Sequence, residues 1–379
     1  MSGLAECINN INIAFSKKDH DRIIEFSRLI ASQYISILDG TQRQQLGLAL
    51  DEIGRIIFYI EHDYKLAAAL SDLAFEIFPT PGTYNTQLLL NLHYQEYDKA
   101  WSAEKYRKQF SEEESLAESK ICKTLYIYNS NGLGDLIQFM RFVPLVAQRA
   151  EKVYFHVPKN TKNVLFRSYL GENVELIEDN RQIDFTERFE LFYLPQILGL
   201  READIARKSA YVFTDSAKTM AWKGVIRRND RPHVGIAWAS VVDPRKKSID
   251  FTDVLPLISE NQGIEFIGLQ NNSKKSQIEL VDVPSNFTDF GVYDLANIAN
   301  IIKNLDAVIC IDCWVAHLSC ALGIPTLIIL SKHCDWRWIE PGFRSRWYES
   351  AILFRRTSDT HNDAIDDVSR YIGKIASSL

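Results

Sequence analysis

Residues 124–135 read Thr-Leu-Tyr-Ile-Tyr-Asn-Ser-Asn-Gly-Leu-Gly-Asp, a short apolar and aromatic run that leads into a turn with two glycines. Runs of this kind are typical of buried strands in parallel sheets. The apolar residues that follow, from Leu136 to Val143, recur at helical spacing, and a second strand is predicted at 153–157. The stretch therefore predicts a β-α-β unit and an α/β fold class.

The same layout restarts at Pro232. Strands are predicted at 233–238, 266–269, 307–311 and 326–330, and a helix at 251–259. A weakly patterned segment near 205–230 separates the two series. Two such series predict two doubly wound, Rossmann-like domains that face each other across a cleft. We place these domains at residues 119–228 and 229–357.

Residues 1–118 show helical periodicity and hardly any strand signal. One predicted helix face consists of Leu46, Leu50, Ile53, Ile57 and Ile60. Further helices are predicted over 64–78, from near 85 and from 97. Small alanines inside paired helices that end at a proline are typical of degenerate tetratricopeptide repeats, although the period is irregular. A plain helical bundle is the alternative.

The charge is unevenly distributed along the chain. Residues 1–120 hold 18 acidic and 12 basic residues, whereas acids and bases balance in the remainder. The helical region is therefore either a solvated acidic surface or a docking surface for a protein partner. No basic face suggests nucleic acid as a partner. No apolar stretch reaches the roughly 18 residues that span a bilayer, and the N-terminus lacks the features of a signal peptide. The sequence therefore predicts a cytoplasmic protein without a transmembrane segment.

Six cysteines in a long chain without an export signal are predicted to be free thiols. Cys310 and Cys313 form a C-x-x-C motif. However, Cys310 ends an apolar run, and no second Cys/His pair stands at zinc-finger spacing. We therefore predict buried thiols and no metal site.

The first candidate for chemistry is the turn with Gly132, Gly134 and Asp135. Glycines allow the backbone to approach a ligand, and a helix start favours an anionic group. A dinucleotide-binding fingerprint fits badly, because Ile137 occupies the third glycine position and no acidic residue ends the second strand. Asp135 is thus either a carboxylate at the edge of a cleft or a helix cap.

Two further candidates follow predicted strands, where open α/β sheets bind ligands. Lys246, Lys247 and Ser248 belong to the most basic loop of the C-terminal half, which either neutralises a diphosphate or is solvated surface. After strand 307–311, Asp312 is suited to cap a helix whose amides face a phosphate. His317 is either a donor to phosphate or ribose or a packed structural histidine.

A fourth candidate is the segment Cys334-Asp335-Trp336-Arg337-Trp338, which follows a strand end. Two aromatic rings and an arginine in such a place either line a nucleotide or sugar pocket or wedge the interface between the two domains.

Taken together, these motifs resemble those of a known family. The order is GLGD at 132–135, GIAW at 235–238, Lys247-Ser248, Leu269-Gln270, D-x-x-x-x-H-L at 312–318, ALGIP at 321–325 and DWRW at 335–338. This order is similar to that of the heptosyltransferase-like glycosyltransferases (glycosyltransferase family 9, GT-B fold). The similarity is greatest to the branch in which tetratricopeptide repeats precede the transferase domain, and it covers about residues 120–357.

The resemblance implies inverting transfer of a sugar from a nucleotide-diphosphate sugar, as co-substrate, to a hydroxyl of a glycan or protein, without metal or cofactor. Asp135 matches the base that activates the acceptor. The residues expected on the donor and phosphate side are Lys246, Lys247, Ser248, Gln270, Asp312, Cys313 and His317. The residues expected to line the pocket are Gly132, Gly134, Trp238, Trp314, Asp335, Trp336 and Arg337. The GT-B resemblance also implies that a last helix, at 358–379, packs back on the N-terminal Rossmann-like domain.

Two positions depart from the family pattern. Thr or Ser usually follows the aspartate, and a small residue comes next, where this chain has Cys313 and Trp314. A hydroxyl that bonds phosphate is therefore missing, and an indole occupies a position of close backbone approach. Three alternatives stay open. They are a protein O-glycosyltransferase whose helical domain grips a polypeptide, a catalytically inactive GT-B scaffold, and a nicotinamide oxidoreductase, which the missing fingerprint disfavours.

Overall fold

The computed structural model describes residues 2–102, 121–159, 161, 170–179, 182–205, 210–227, 229–240, 247–270, 275–279, 281–292, 294–357 and 362–376. The chain divides into two compact units, Met1–Ser115 and Leu116–Leu379. The first unit is helical and the second contains two parallel sheets, so the predicted fold class is confirmed. Within the described residues, no helix combines the length and apolarity needed to cross a membrane.

Six helices form the described part of the N-terminal unit. They are α1 (Ser2–Ser16), α2 (His20–Tyr34), α3 (Gly40–Ile56), α4 (Tyr64–Ile77), α5 (Pro81–His93) and α6 (Tyr97–Ala100). Their apolar faces share a core in which Ile23, Leu50 and Leu70 are buried. Capping boxes at Asp39 and Thr80 start α3 and α5, because they satisfy backbone N–H groups that a helix start leaves without a partner.

The helix pairs begin at Ser2, Gly40 and Pro81, so roughly 40 residues separate them, compared with about 34 in a tetratricopeptide repeat. The repeat assignment therefore stays a prediction. Ile60, which the sequence analysis places on the core face, is 70% exposed. The chain forms a π-helical turn at Ile57–Glu61, and this wider turn rotates Ile60 away from the core-facing side.

The first sheet has four parallel strands in the order β3-β2-β1-β4. They are β1 (Cys122–Tyr128), β2 (Ala150–His156), β3 (Val174–Ile177) and β4 (Glu187–Glu190). The helices of this first α/β half are α7 (Leu133–Phe139), α8 (Val143–Ala147) and α9 (Leu194–Leu198). Leu125 and Ile127 of β1 are buried, whereas Tyr126 and Tyr128 are half-buried. The strand is therefore buried on one face, and not on both as the run alone suggests.

The second sheet has six parallel strands in the order β10-β9-β8-β5-β6-β7. They are β5 (His233–Ala237), β6 (Glu265–Gly268), β7 (Phe287–Thr288), β8 (Ala307–Ile311), β9 (Thr326–Leu330) and β10 (Ala351–Arg355). The helices of this second α/β half are α10 (Ser216–Ile226), α11 (Phe251–Glu260), α12 (Lys275–Glu279), α13 (Leu295–Ile302), α14 (Trp314–Ala321) and α15 (Asn362–Ala376). Every residue of β5, β8 and β9 is buried, as continuous apolar runs in a parallel sheet predict.

The last helix, α15, packs on the second sheet. It contacts β9, β10 and α11, and its Ser369 accepts a hydrogen bond from Asn261 at 3.0 Å. Val368 and Ile372 are buried on its apolar face. This placement corrects the expectation that the helix packs back on the N-terminal Rossmann-like domain. The physical reason is that α15 closely follows the edge strand β10 in the chain. The helix therefore buries its own apolar face against the same sheet.

Candidate functional site

Asp135 lies in the first turn of α7, a few residues after β1. The N-cap of this helix is Gly132, so Asp135 is not the cap residue that one sequence interpretation proposed. The helix dipole favours a carboxylate in the first turn. The Asp135 side chain keeps 26% of its surface exposed at the carboxyl edge of the first sheet.

Gly134 is required by a close approach between the two α/β halves. A Cβ atom at this position would lie 2.9 Å from Cδ2 of His317, closer than real Cβ atoms pack. His317 belongs to α14, which packs against α7. From the sequence, this glycine was expected to let the backbone approach a ligand. In the structure the backbone approaches a histidine ring, which brings Asp135 beside α14.

Arg337 joins the two α/β halves. Its guanidinium pairs with Asp135 of the first half, lies 2.7 Å from Asp335 of the second, and donates a hydrogen bond to Gln138. Only 11% of the Arg337 side chain is exposed. Burial alone would lower the pKa of this guanidinium, but Asp335 and Asp135 raise it. Arg337 therefore keeps a fixed positive charge between carboxylates from both halves.

Asp312 follows β8 and has two partners. Its Oδ2 atom lies 3.4 Å from Nζ of Lys247, and its Oδ1 atom accepts a hydrogen bond from the Trp338 indole at 2.9 Å. Both members of the pair are largely buried, with 11% of Asp312 and 16% of Lys247 exposed. Lys247 is therefore not solvated surface, and it lies near the start of α14. Lys246 lies outside the described residues.

His317 is buried close to the Asp312–Lys247 pair. Its Nδ1 atom lies 2.8 Å from the hydroxyl of Tyr348, and its ring centroid lies 5.2 Å from that of Trp338. Burial first, and then the charge of Arg337, lowers the pKa of His317 to about 3. The imidazole is therefore neutral at pH 7 and has one N–H donor. This environment matches the packed structural histidine of the sequence analysis.

Gln270, Trp238 and Ser248 hold the loops at the carboxyl end of the second sheet. The Gln270 side-chain oxygen accepts hydrogen bonds from the backbone N–H groups of Trp238 at 3.1 Å and of Ala239 at 2.9 Å. Ser248 accepts one from the backbone of Ser240 at 3.0 Å. Trp238 is only 1% exposed. These side chains therefore hold in place the loops that border the candidate site.

Cys313 and Trp314 begin α14, where the family pattern has a hydroxyl and a small residue. Cys313 is the buried N-cap. The Cys310 thiol, and then the Ala316 and Val315 amides, lower the pKa of Cys313 against the effect of burial. Trp314 is half-buried. All six cysteines are buried free thiols, and the described part of the chain has no cluster of three metal-ligating side chains.

Trp336 is the wedge that one interpretation of its segment proposed. It is 2% exposed, and its ring packs 6.4 Å from Phe139 of the first half and 5.6 Å from Trp347 of the second. It supports the position of Arg337, whose guanidinium carbon lies 4.3 Å from the Trp336 ring centroid. Trp336 therefore lies in an interface and does not line an open pocket.

Two buried residues near the site, Arg141 and Tyr348, were not found from the sequence. Arg141 is 5% exposed, donates to the Trp347 carbonyl at 2.9 Å and lies 4.8 Å from the Tyr348 ring centroid. One signal was available, because a lone charge stands in the apolar run 139–142 and arginine is rarely buried without partners. Tyr348 gave no such signal, since aromatic residues are common in any core.

A cavity of about 640 Å³ lies elsewhere, between β10 and α15, with Arg344, Phe354 and Arg370 among its lining residues. None of the site residues predicted from sequence lines it. The candidate site is therefore defined by the side-chain network of Asp135, Arg337 and Asp312, and not by this cavity.

Comparisons with known proteins give structural similarity alone. No protein-family model and no curated protein matches the chain. The chain is similar to a glycosyl transferase family 9 structure from Veillonella parvula, with 11% identity over 70% of this chain and 92% of that chain and a TM-score of 0.48. It is also similar to the E. coli heptosyltransferase WaaC with ADP-2-deoxy-2-fluoro heptose, with 10% identity, coverage of 67% and 100%, and a TM-score of 0.44.

A third similar structure is the E. coli ADP-heptose lps heptosyltransferase II, with 10% identity, coverage of 68% of this chain and 98% of that chain, and a TM-score of 0.44. Because all three TM-scores lie below 0.5, the function of this chain has to be argued from its own residues.

Proposed function

We propose that this protein is a glycosyltransferase that moves a sugar from a nucleotide-diphosphate sugar to a hydroxyl acceptor. One juxtaposition carries the proposal. The Asp135 carboxylate at the carboxyl edge of the first sheet meets Arg337, and the Asp312–Lys247 pair lies at the carboxyl edge of the second sheet. Such edges are where open α/β sheets bind ligands. The motifs that supply these residues also follow the order of the family that the sequence resembles.

Asp135 is the general base in this proposal. The acceptor hydroxyl gives its proton to the carboxylate while its oxygen attacks the anomeric carbon, and the bond from that carbon to the diphosphate oxygen breaks. Attack from the side opposite the leaving group inverts the anomeric centre, as the resemblance implies. Arg337 contacts the Oδ1 atom of Asp135 and orients the carboxylate, so that Oδ2 is the atom for the acceptor.

The leaving diphosphate gains negative charge as the bond breaks. Lys247 and the backbone N–H groups at the start of α14 are the groups that stabilise this charge. The distance of 3.4 Å from Lys247 to Asp312 is long for an ion pair, so a diphosphate competes well for the ammonium group. Because Cys313 replaces a hydroxyl, Lys247 and the amides have a larger share of phosphate binding here.

A catalytically inactive scaffold is the second candidate, and a specific observation favours it. Asp135 already pairs with Arg337 and Asp312 with Lys247, while the Trp314 indole stands in the first turn of α14. In that case the charge network only holds the two α/β halves together. Such a protein would bind no nucleotide sugar.

A thermal-shift screen of the full chain against ADP-, UDP- and GDP-sugars separates the two candidates. A ligand that binds only the folded state stabilises it by about 2.7 kcal/mol at 100 times its Kd. We expect at least one nucleotide sugar to raise Tm, and the same sugar without its nucleotide to leave Tm unchanged. A panel in which no nucleotide sugar changes Tm would reject the transferase and favour the scaffold.

A further inference from the structure

The cavity of about 640 Å³ between β10 and α15 has the size of a ligand site. Small-molecule sites in proteins enclose roughly 300–1,000 Å³. Ile352 and Phe354 of β10 line it, and they point to the same side of the sheet because they are two residues apart on one strand. Phe354 is only 4% exposed. The strand side of the cavity is therefore apolar and belongs to the packed core.

One face of α15 forms a second wall. Its four lining residues are spaced three, four and seven positions apart, as neighbours on one helix face are, and they are Asp367, Arg370, Tyr371 and Lys374. The Tyr371 ring packs edge-on against Phe354, with 5.6 Å between the centroids and 69° between the ring planes. Tyr371 is 37% exposed. It therefore extends the apolar surface of Phe354 toward the solvent.

The third wall is the segment 338–344, which is tied to the edge strand. Arg355 of β10 donates hydrogen bonds to three carbonyl groups of this segment, those of Trp338, Glu340 and Gly342. The Phe343 ring lies 6.0 Å from that of Phe354, and Phe343 is 66% exposed. Because this wall is fixed before a ligand arrives, binding here does not require the ordering of a loop.

The cavity carries a net positive charge. Its charged lining residues are three cations and two carboxylates, namely Arg344, Arg370, Lys374, Glu349 and Asp367. Arg370 and Asp367 pair with each other. Arg344 is exposed and its backbone bridges to Ile352, but within the described residues its guanidinium has no ion pair. A guanidinium presents a planar fork of donors that matches a carboxylate or a phosphate.

We propose that this cavity binds an organic anion with an aromatic body, an aryl carboxylate or an aryl phosphate. The flat body packs against Phe354 and Tyr371, and the anionic group meets Arg344. An inorganic anion would leave the rings uncovered, and a neutral aromatic molecule would leave Arg344 without a partner. None of the cavity residues takes part in the proposed sugar transfer. The inference therefore goes beyond the proposed function and does not depend on it.

Isothermal titration calorimetry of the full chain with 1-naphthyl phosphate tests the inference. We expect this probe to bind, and inorganic phosphate and 1-naphthol, each of which holds half of its chemistry, to give no measurable binding at the same concentration. Arg344→Gln and Tyr371→Ala should each weaken binding about tenfold, as the loss of a charged hydrogen bond or of an aromatic contact predicts.

Two matched controls lie outside the cavity on exposed surface. They are Arg231→Gln, since Arg231 is 53% exposed and pairs with Glu265, and Phe213→Ala, since Phe213 is 43% exposed. The guanidinium of Arg344 forms no ion pair among the described residues. Arg344→Gln therefore breaks no such pair in the fold, and this variant decides the test if Tyr371→Ala fails to fold.

Lys247→Ala separates the cavity from the proposed diphosphate site. Binding of 1-naphthyl phosphate that falls in Lys247→Ala but not in Arg344→Gln would mean that the probe occupies the diphosphate site, which overturns the inference. Absence of binding also overturns it, and so does an equal loss in Arg344→Gln and Arg231→Gln. Binding that only the cavity variants weaken supports the inference, whether or not a nucleotide sugar binds.

Discussion

The two parallel sheets of this protein differ in how they are covered. Every residue of β8 in the second sheet is buried, whereas β1 in the first sheet alternates between buried aliphatic and half-buried tyrosine side chains. A sheet packed on both faces holds the side chains at its edge in a fixed geometry. Under the proposed function, the diphosphate binds on the second sheet and the acceptor on the first.

Arg337 connects the two α/β halves, so replacing it should have the largest effect on stability. Arg337→Met removes the cation between Asp135 and Asp335, and breaking a buried ion pair costs about 3–5 kcal/mol. We expect urea unfolding of the full chain to report a loss of this size. The control is Arg370→Met, whose partner Asp367 is 53% exposed and whose surface pair contributes about 0–1 kcal/mol. Equal losses in the two variants would mean that Arg337 does not join the sheets.

The next largest effect is expected at Asp135, on the first sheet alone. Asp135→Asn keeps the shape of the side chain but removes the base, which should lower turnover about 100-fold. The Kd for the nucleotide sugar should stay unchanged, because Lys247 and Asp312, the proposed donor-side residues, lie on the second half. Asp215→Asn is the control, since Asp215 caps α10 and Asn caps a helix about as well as Asp. A fully active Asp135→Asn enzyme would rule out the proposed mechanism.

Lys247 tests the second sheet in the same way. Lys247→Ala should weaken nucleotide-diphosphate binding by about 1–3 kcal/mol, the range for a charged hydrogen bond. Isothermal titration calorimetry measures this change, and Lys246→Ala is tested beside it. The control is Lys152→Ala, because Lys152 pairs with Glu175 on the first sheet at 3.0 Å. If the Lys152 variant loses as much affinity, the effect comes from net charge alone. That result would contradict diphosphate binding on the second sheet.

The last prediction concerns the pH dependence of stability at His317. Its pKa of about 3 in the folded protein lies below the usual value of 6.5. Protonation therefore favours the unfolded chain, and stability falls as the pH drops from 6.5 toward 3, by about 1.4 kcal/mol per pH unit. His317→Gln should lack this contribution. As the pH falls from 7 to 5, the unfolding free energy of the wild type should therefore decrease more than that of the variant. A constant difference would show that His317 does not titrate on unfolding.

The second sheet was the more predictable of the two. The runs at 307–311 and 326–330 are continuously apolar, and the observed strands have the same bounds. The first sheet was harder, because tyrosine is compatible with a core and with a half-exposed face, and only the sheet shows which applies. Among the site residues, the local pattern placed Asp135 at a strand-to-helix turn and Asp312 directly after a strand. Spacing could not pair Asp135 with Arg337, which lies 202 residues further along the chain.

By itself, the sequence determined the class of each segment, because strand runs, helical periodicity, caps and turn glycines act between near neighbours in the chain. Only the tertiary structure decided that Gly134 faces the ring of His317, that Arg337 lies between Asp135 and Asp335, and that α15 packs on the second sheet. These outcomes depend on which surfaces are buried together and which charges meet across the interface between the two halves. Short-range patterns carry no information about either.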